Sequence, residues 1–236
     1  MIYFKQGDLI EDASDGKLFA FGHGCNCFHT MGSGVAKFIS REWRDIYQAD
    51  VQGSVRGDKD KLGTFTKAVL TVTPAHLPMA VRGYNLYTQF NTSDDRVYYS
   101  AIYSSIRRMI MDAYEDAIDL DIEGIKIGIP LIGGGLGGGD WKQIYACIVD
   151  AYQDAKHRIN DTFEVDLVIY LLENDESAWF TAFPHGSIVN TVDVDGSLKQ
   201  RIHAAHGSTS LEDVFDAPTV INPELHRYIP VLKKVD

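Results

Sequence analysis

The spacing of apolar residues changes period several times along the chain, and each change marks an element. Ile2 to Gln6 reads as a short strand that stops at Gly7-Asp8. Leu18 to Gly24 is a mostly apolar run of strand length, the pattern of a strand buried on both faces. Met31-Gly32-Ser33-Gly34 interrupts it. From Val35 the apolar residues Val35, Ile39, Trp43 and Tyr47 recur at i, i+4, with Lys37, Arg41 and Glu42 between them, which predicts one continuous helix. Gly63 to Val72 and Ala80 to Thr88 read as two strands separated by the turn-like stretch Pro74 to Pro78. Ile102, Ile106, Met109, Ala113 and Ala117 mark a long helix after Tyr98. Ile125 to Pro130 is a further strand, and Ile144, Cys147, Ile148, Ala151 and Ala155 form the apolar stripe of the next helix. Val165 to Leu172 is the last strand that the pattern supports.

This alternation predicts a three-layer α/β domain over residues 1–174, whose ligands sit beyond the carboxyl ends of the strands. Residues 175–236 lose the alternation and read as a C-terminal extension packed on that domain. An interaction module built around residues 177–236 is one alternative reading of the chain.

Charge narrows the partners. The formal net charge is −11, from 22 Lys+Arg against 33 Asp+Glu. Such a surface repels nucleic acid and anionic membranes as general partners, but it leaves room for a small anion held by backbone N–H groups. No apolar run approaches the ~20 residues that span a bilayer. The N-terminus reads as a strand and not as a signal peptide. Three cysteines form no disulfide framework and fit a reducing cytoplasm.

Candidate chemistry collects in two glycine-rich loops, each between a strand and a helix. In the first, His23 to Ala36, glycines at 32 and 34 let a ligand approach the backbone where a helix N-terminus adds positive potential. The second carries six glycines in seven residues, Gly133 to Gly139, and its bare N–H groups suit a diphosphate. Neither is a Walker loop or a dinucleotide fingerprint. Asp8 is placed to accept a hydrogen bond from an exocyclic amine, or to cap a helix or turn. Asn26 is placed to hold a sugar hydroxyl, or to make an Asx turn. His23 and Asp140 are the acid–base candidates; Asp140-Trp141-Lys142-Gln143 also has the form of a capping box. The alternating His23, Cys25, Cys27 and His29 set the side chains too far apart for an ordinary zinc site, so a metal-independent protein is expected, with Cys25 and Cys27 as small buried side chains.

Four segments together resemble one family. Gly7-Asp8-Leu9-Ile10, Cys25-Asn26-Cys27, Met31 to Ala36, and Pro130 to Leu136, in this order, look like the macrodomain family, an ADP-ribose-binding α/β/α module with a central mixed sheet. His23 to Ala36 and Gly137-Gly138-Gly139-Asp140-Trp141 look most like its ADP-ribose 1″-phosphate phosphatase branch. The resemblance implies that Asp8 binds the adenine amine, with a backbone contact from Leu9. Asn26 holds the distal ribose; Gly32, Ser33, Gly34, Val35 and Ala36 wrap that ribose and a phosphate. Ile132, Gly133, Gly134, Gly135, Leu136, Gly137 and Gly138 cradle the diphosphate, and Tyr170 or a residue just after it lies near the adenine. Gln89 and Phe90 stand where related de-ADP-ribosylating enzymes carry a lysine nucleophile, which argues against a lysyl-covalent mechanism. The expectation is a hydrolase that removes the 1″-phosphate, with His23, Asn26 and Asp140 as catalytic residues and no cofactor. Removal of ADP-ribose from protein or nucleic acid, and non-catalytic reading of ADP-ribose, are the alternatives.

Overall fold

The apolar strand runs assemble into one six-stranded sheet in the order β1-β6-β5-β2-β4-β3. The computed structural model describes residues 1–91, 97–133 and 137–172. The strands are β1 (Ile2–Gln6), β2 (Ala20–Asn26), β3 (Phe65–Val72), β4 (Met79–Gln89), β5 (Gly124–Pro130) and β6 (Glu164–Leu171). Five run parallel, and β3 pairs antiparallel with β4. The expected mixed sheet is therefore present, with helices on both faces.

Strand alternation divides the core into two layers. On one face, Leu167, Ile169 and Leu171 of β6 and Tyr84 and Leu86 of β4 pack with α4 (Tyr99–Asp119) and α5 (Trp141–Lys156). Ile102, Ile106, Met109, Ala113 and Ala117, the apolar stripe of α4, are all buried there. On the other face, Phe21, Val81, Tyr87, Val168 and Tyr170 pack with α1 (Leu9–Ser14), α2 (Gly34–Glu42) and α3 (Arg44–Gly53).

The structure corrects the single helix expected after Val35. Trp43 has extended backbone (φ −128°, ψ 98°), which ends α2 and starts α3. Its ring docks on Phe21, with centroids 5.1 Å apart. The i, i+4 spacing runs on through the break because Trp43 still faces the sheet. The redirected α3 then lies close to β4: a Cβ on Gly83 would stand 2.1 Å from Ile46 Cδ1. That approach drives Asp50, one turn beyond Ile46, into the interior.

Among the described residues no helix is long and apolar enough to cross a membrane. The C-terminal extension expected over residues 175–236 lies outside the described residues.

Candidate functional site

The carboxyl ends of the five parallel strands open into one cleft of about 850 Å3. Asp8, Leu9 and Ile10 reach it after β1, Gly24 and Asn26 at the end of β2, and Thr88 and Gln89 at the end of β4. Pro130, Leu131, Ile132 and Gly133 follow β5, and Tyr170 and Leu172 lie at the end of β6. Ser33, Gly34, Val35 and Ala36 supply the start of α2, and Gly137 faces the same space.

At one end Asp8 has two separate duties available. Its Oδ1 accepts from Ile10 N (2.7 Å) and Glu11 N (3.4 Å), capping α1. Its Oδ2 has no hydrogen-bond partner among the described residues, and Asp8 is exposed. Close by, the Tyr170 hydroxyl donates to Asp12 Oδ2 (2.7 Å). Burial and then the Asp12 carboxylate push the Tyr170 phenol well above its ordinary range, so it serves as a donor and a wall. Burial opposes the charge on Asp12, but Lys5, Tyr170 and Lys17 outweigh it and hold that carboxyl below its ordinary value.

In the middle, α2 presents an uncapped N-terminus. Ser33 makes no side-chain capping bond, and Lys37 N bonds to Ser33 O (3.3 Å). The N–H groups of Gly34, Val35 and Ala36 precede the first intrahelical bond and have no intrahelical acceptor. Gly34 turns the chain into the helix at φ 56°, a left-handed conformation that favours glycine. Aligned N–H groups at a helix start form an anion site without any cationic side chain.

The second glycine loop is held from behind. A Cβ on Gly133, Gly137 or Gly139 would come within 2.7, 2.8 or 2.6 Å of a Val97 methyl. Gly139 N donates to Gly133 O (3.0 Å), and Val97 N to Gly137 O (3.3 Å). Packing against Val97 is thus one physical reason for these three glycines. Gly134, Gly135 and Leu136 lie outside the described residues. Gly32 and Gly138 do not line the cleft.

Asn26 lies at the end formed by β2 and β4, where it pairs in register with Gln89. Its Oδ1 accepts from Phe28 N (2.8 Å) and its Nδ2 donates to Thr30 O (2.9 Å), so the Asx turn is real. Each end keeps one further hydrogen-bond position, and the side chain faces the cleft while only 5% exposed.

The expected acid–base pair is not brought to this cleft. His23 is fully buried on the α3 side of the sheet and does not line the cleft. Asn85 Nδ2 donates to Ile46 O and Thr66 Oγ1, so Asn85 Oδ1 is the atom that faces His23, and His23 Nε2 donates to it (2.8 Å). Burial pushes the imidazole down to about 4, against smaller opposing effects of Asn85 and Asp50. Asp140 is exposed and caps α5: Oδ1 accepts from Lys142 N (3.0 Å) and Oδ2 from Gln143 Nε2 (3.1 Å). It too is absent from the cleft wall. Cys25 and Cys27 are buried, and burial first, with Asp50 adding, drives the Cys25 thiol well above its ordinary value. Among the described residues no three His, Cys, Asp or Glu side chains converge as metal ligands.

Several lining residues escaped the sequence reading. Thr88 and Gln89 sit where a buried strand ends, a position that itself points to a ligand in such sheets. Phe38, Arg41 and Glu42 also line the cleft. Arg41 and Glu42 fall between the apolar positions of α2, where nothing in the spacing separates a cleft wall from a solvated face.

No protein-family model matches the chain. The macrodomain of Thermus aquaticus DarG superposes with a TM-score of 0.50 at 20% identity, covering 72% of this chain and 98% of that one. The macrodomain of Mycobacterium tuberculosis DarG gives 0.49 at 23% identity, covering 72% and 97%. The fold is a macrodomain fold. In sequence, 154 residues, 64% of the chain, align at 32% identity with 90% of the uncharacterized 17.5 kDa protein of the tk-vs intergenic region of Enterobacteria phage T4, and the chain belongs to the family of that phage protein.

Proposed function

We propose that the cleft binds ADP-ribose and that the protein hydrolyses the phosphate from ADP-ribose 1″-phosphate. One observation carries the reading: a free carboxylate oxygen at Asp8, an uncapped helix start at Ser33 to Ala36 and a fixed amide at Asn26 share one cleft. These are complementary in turn to an adenine amine, a phosphate and a ribose hydroxyl.

The end beyond Asn26 favours the phosphate ester. Asn26, Thr30, Thr88 and Gln89 are neutral hydrogen-bonding groups that line it. Such groups orient a water and a sugar oxygen but shuttle no proton. A 1″-phosphate departs as an anion, so its release asks least of a general acid. Water attacks C1″ of the distal ribose, the C1″–O bond to the phosphate breaks, the water's oxygen stays on C1″ as the hydroxyl, and inorganic phosphate leaves with the bridging oxygen and the water's proton. The α2 N-terminus stabilises negative charge as that bond breaks. The same neutral lining supports a second reading, a non-catalytic reader of ADP-ribose.

Calorimetry with ADP-ribose tests the site, and a dissociation constant in the micromolar range, about −8 kcal/mol, is expected. A turnover panel of ADP-ribose 1″-phosphate, ADP-ribosylated protein and ADP-ribosylated nucleic acid tests the reaction. Phosphate release from the first alone supports the phosphatase; binding without any turnover supports the reader; no heat with millimolar ADP-ribose overturns both.

A further inference from the structure

Behind the wall that carries Asn26 lies a buried polar cluster for which the cleft offers no direct use. Asp50 of α3 is 1% exposed and Lys61 is 5% exposed. Asp50 Oδ1 accepts from Tyr87 OH (2.7 Å) and from Lys61 Nζ (3.3 Å). A pair buried this deeply is a weak source of stability, because the desolvation of both charges offsets their attraction. Its location suggests another use.

The cluster meets the turn between β2 and α2 at two places, Cys27 and His29. Lys61 Nζ donates to Cys27 O (3.3 Å), an oxygen that also accepts from Gly57 N (2.7 Å). His29 holds φ 57°, an uncommon conformation for a residue with a Cβ, and one that persists where surroundings enforce it. Its Nε2 stands 3.1 Å from Ser54 Oγ and 3.6 Å from Asp50 Oδ1, and Ser54 Oγ donates to Asp50 O (2.7 Å). The turn held in this way supplies the two backbone groups, Phe28 N and Thr30 O, that fix the Asn26 amide. An amide turned end for end would set its nitrogen against the Phe28 N–H and its oxygen against the Thr30 carbonyl.

We propose that Asp50, Lys61 and His29 are positioning residues: they hold the 27–30 turn so that the Asn26 amide presents one defined donor and one defined acceptor to the ligand. This rests on the reading of the cleft as an ADP-ribose site for its ligand, though not for its geometry.

The test uses the full chain. His29→Gly removes the imidazole while favouring the left-handed backbone. Asp50→Asn with Lys61→Met removes both buried charges together, so that neither is left unpaired. Nitrogen-edited NMR of the free protein reads the Asn26 side-chain amide directly. One slowly exchanging N–H is expected in the parent, and an averaged, fast-exchanging pair in both variants, with each still folded by circular dichroism. ADP-ribose affinity is expected to fall about tenfold, one uncharged hydrogen bond. Adding Asn26→Ala to either variant should cost little more, since the two changes remove the same contact. An Asn26 amide signal unchanged in both variants overturns the positioning role. If the parent itself binds no ADP-ribose, the cleft reading falls, while the amide signal still decides the positioning role.

Discussion

Replacing Asp8 by asparagine separates what its two oxygens do. Asn caps a helix about as well as Asp, so Oδ1 can still accept from Ile10 N and Glu11 N and hold α1 in place. The change falls on Oδ2, which becomes an NH2 group unable to accept from an adenine amine. A hydrogen bond to a charged acceptor contributes about 1.5–3 kcal/mol. Asp8 is exposed, so the lower end applies: about 1.5–2 kcal/mol, or roughly 10- to 30-fold in affinity for ADP-ribose. Stability should fall only by the few tenths of a kcal/mol lost with a negative charge at a short helix start. Asp8→Ala loses the cap as well, about 1 kcal/mol, which in a chain of this size lowers the melting temperature by about 2–4 °C. A third arm uses the hypoxanthine analogue of ADP-ribose, whose ring carries a carbonyl in place of the amine. The parent should disfavour it, and Asp8→Asn should prefer it, because the new NH2 donates to that carbonyl. Calorimetry with both ligands and thermal unfolding of all three proteins give the complete set. If Asp8→Asn binds both ligands with the parent's affinity, or if both variants lose both ligands equally, Asp8 is only a helix cap and the base lies elsewhere.

Gly137→Ala should distort the second loop, since its Cβ would stand 2.8 Å from Val97 Cγ1 and 3.1 Å from the Gly133 backbone; a loss of about 1–3 kcal/mol and weaker ADP-ribose binding are expected in urea denaturation and calorimetry, with partial recovery on adding Val97→Ala. His23→Gln should flatten the acid side of the stability profile. The buried imidazole titrates near 4 against 6.5 when unfolded, so its contribution is complete above pH 6.5 and is lost as pH falls toward 4, roughly 3 kcal/mol in all; Asp12 and Asp116, held below 3.8, act only at lower pH. Equal urea midpoints for the two proteins at pH 4.5, after matching at pH 7, would count against this. Asp140→Ala should cost about 1 kcal/mol through the lost cap of α5 and leave ADP-ribose affinity unchanged, and a tenfold affinity loss would return Asp140 to the site.

Most elements were legible because each changes the period of the apolar pattern. Buried strands read as apolar runs, and α4 and α5 as 3.6-residue stripes. The helix α1 was missed for its length: six residues hold too few apolar positions to show a period, although Asp8 already offered its cap. The break at Trp43 is invisible for the opposite reason, since a half-buried tryptophan that reaches the sheet through an extended residue keeps the helical spacing of its neighbours. The placement of His23 follows from strand parity. Side chains alternate along a strand, so His23 and Cys25 share one face of β2 while Gly24 lies on the other. A Cβ on Gly24 would meet Thr88 Oγ1 and Ile132 Cγ2, both on cleft-lining residues. The Asp50–Lys61 cluster had no sequence signal at all, because its members come from α3, the turn after it and β4, and only the fold brings them together.

On the proposed reading, the electrostatics of the cleft account for an anion site made of backbone. At a net charge of −11, the protein repels a diphosphate at long range. Within the cleft wall the charged side chains among the described residues are Asp8, Arg41 and Glu42, whose sum is again negative. A lysine or arginine added at the glycine loops would strengthen binding to any phosphate, whatever it was attached to. Backbone N–H groups at a helix start act over one turn only, so they hold an anion that is already in place and contribute little to one that is not. On the proposed reading, selection among anionic ligands falls on the neutral and single-charge contacts at the two ends of the cleft, Asp8 and Asn26. That division of labour is also why the orientation of one uncharged amide matters enough to be held from behind. On the proposed reading, a flipped Asn26 sets a donor toward the distal end of the ligand where the unflipped amide presents an acceptor, and only the neutral groups of Thr30, Thr88 and Gln89 share that end of the described wall with it.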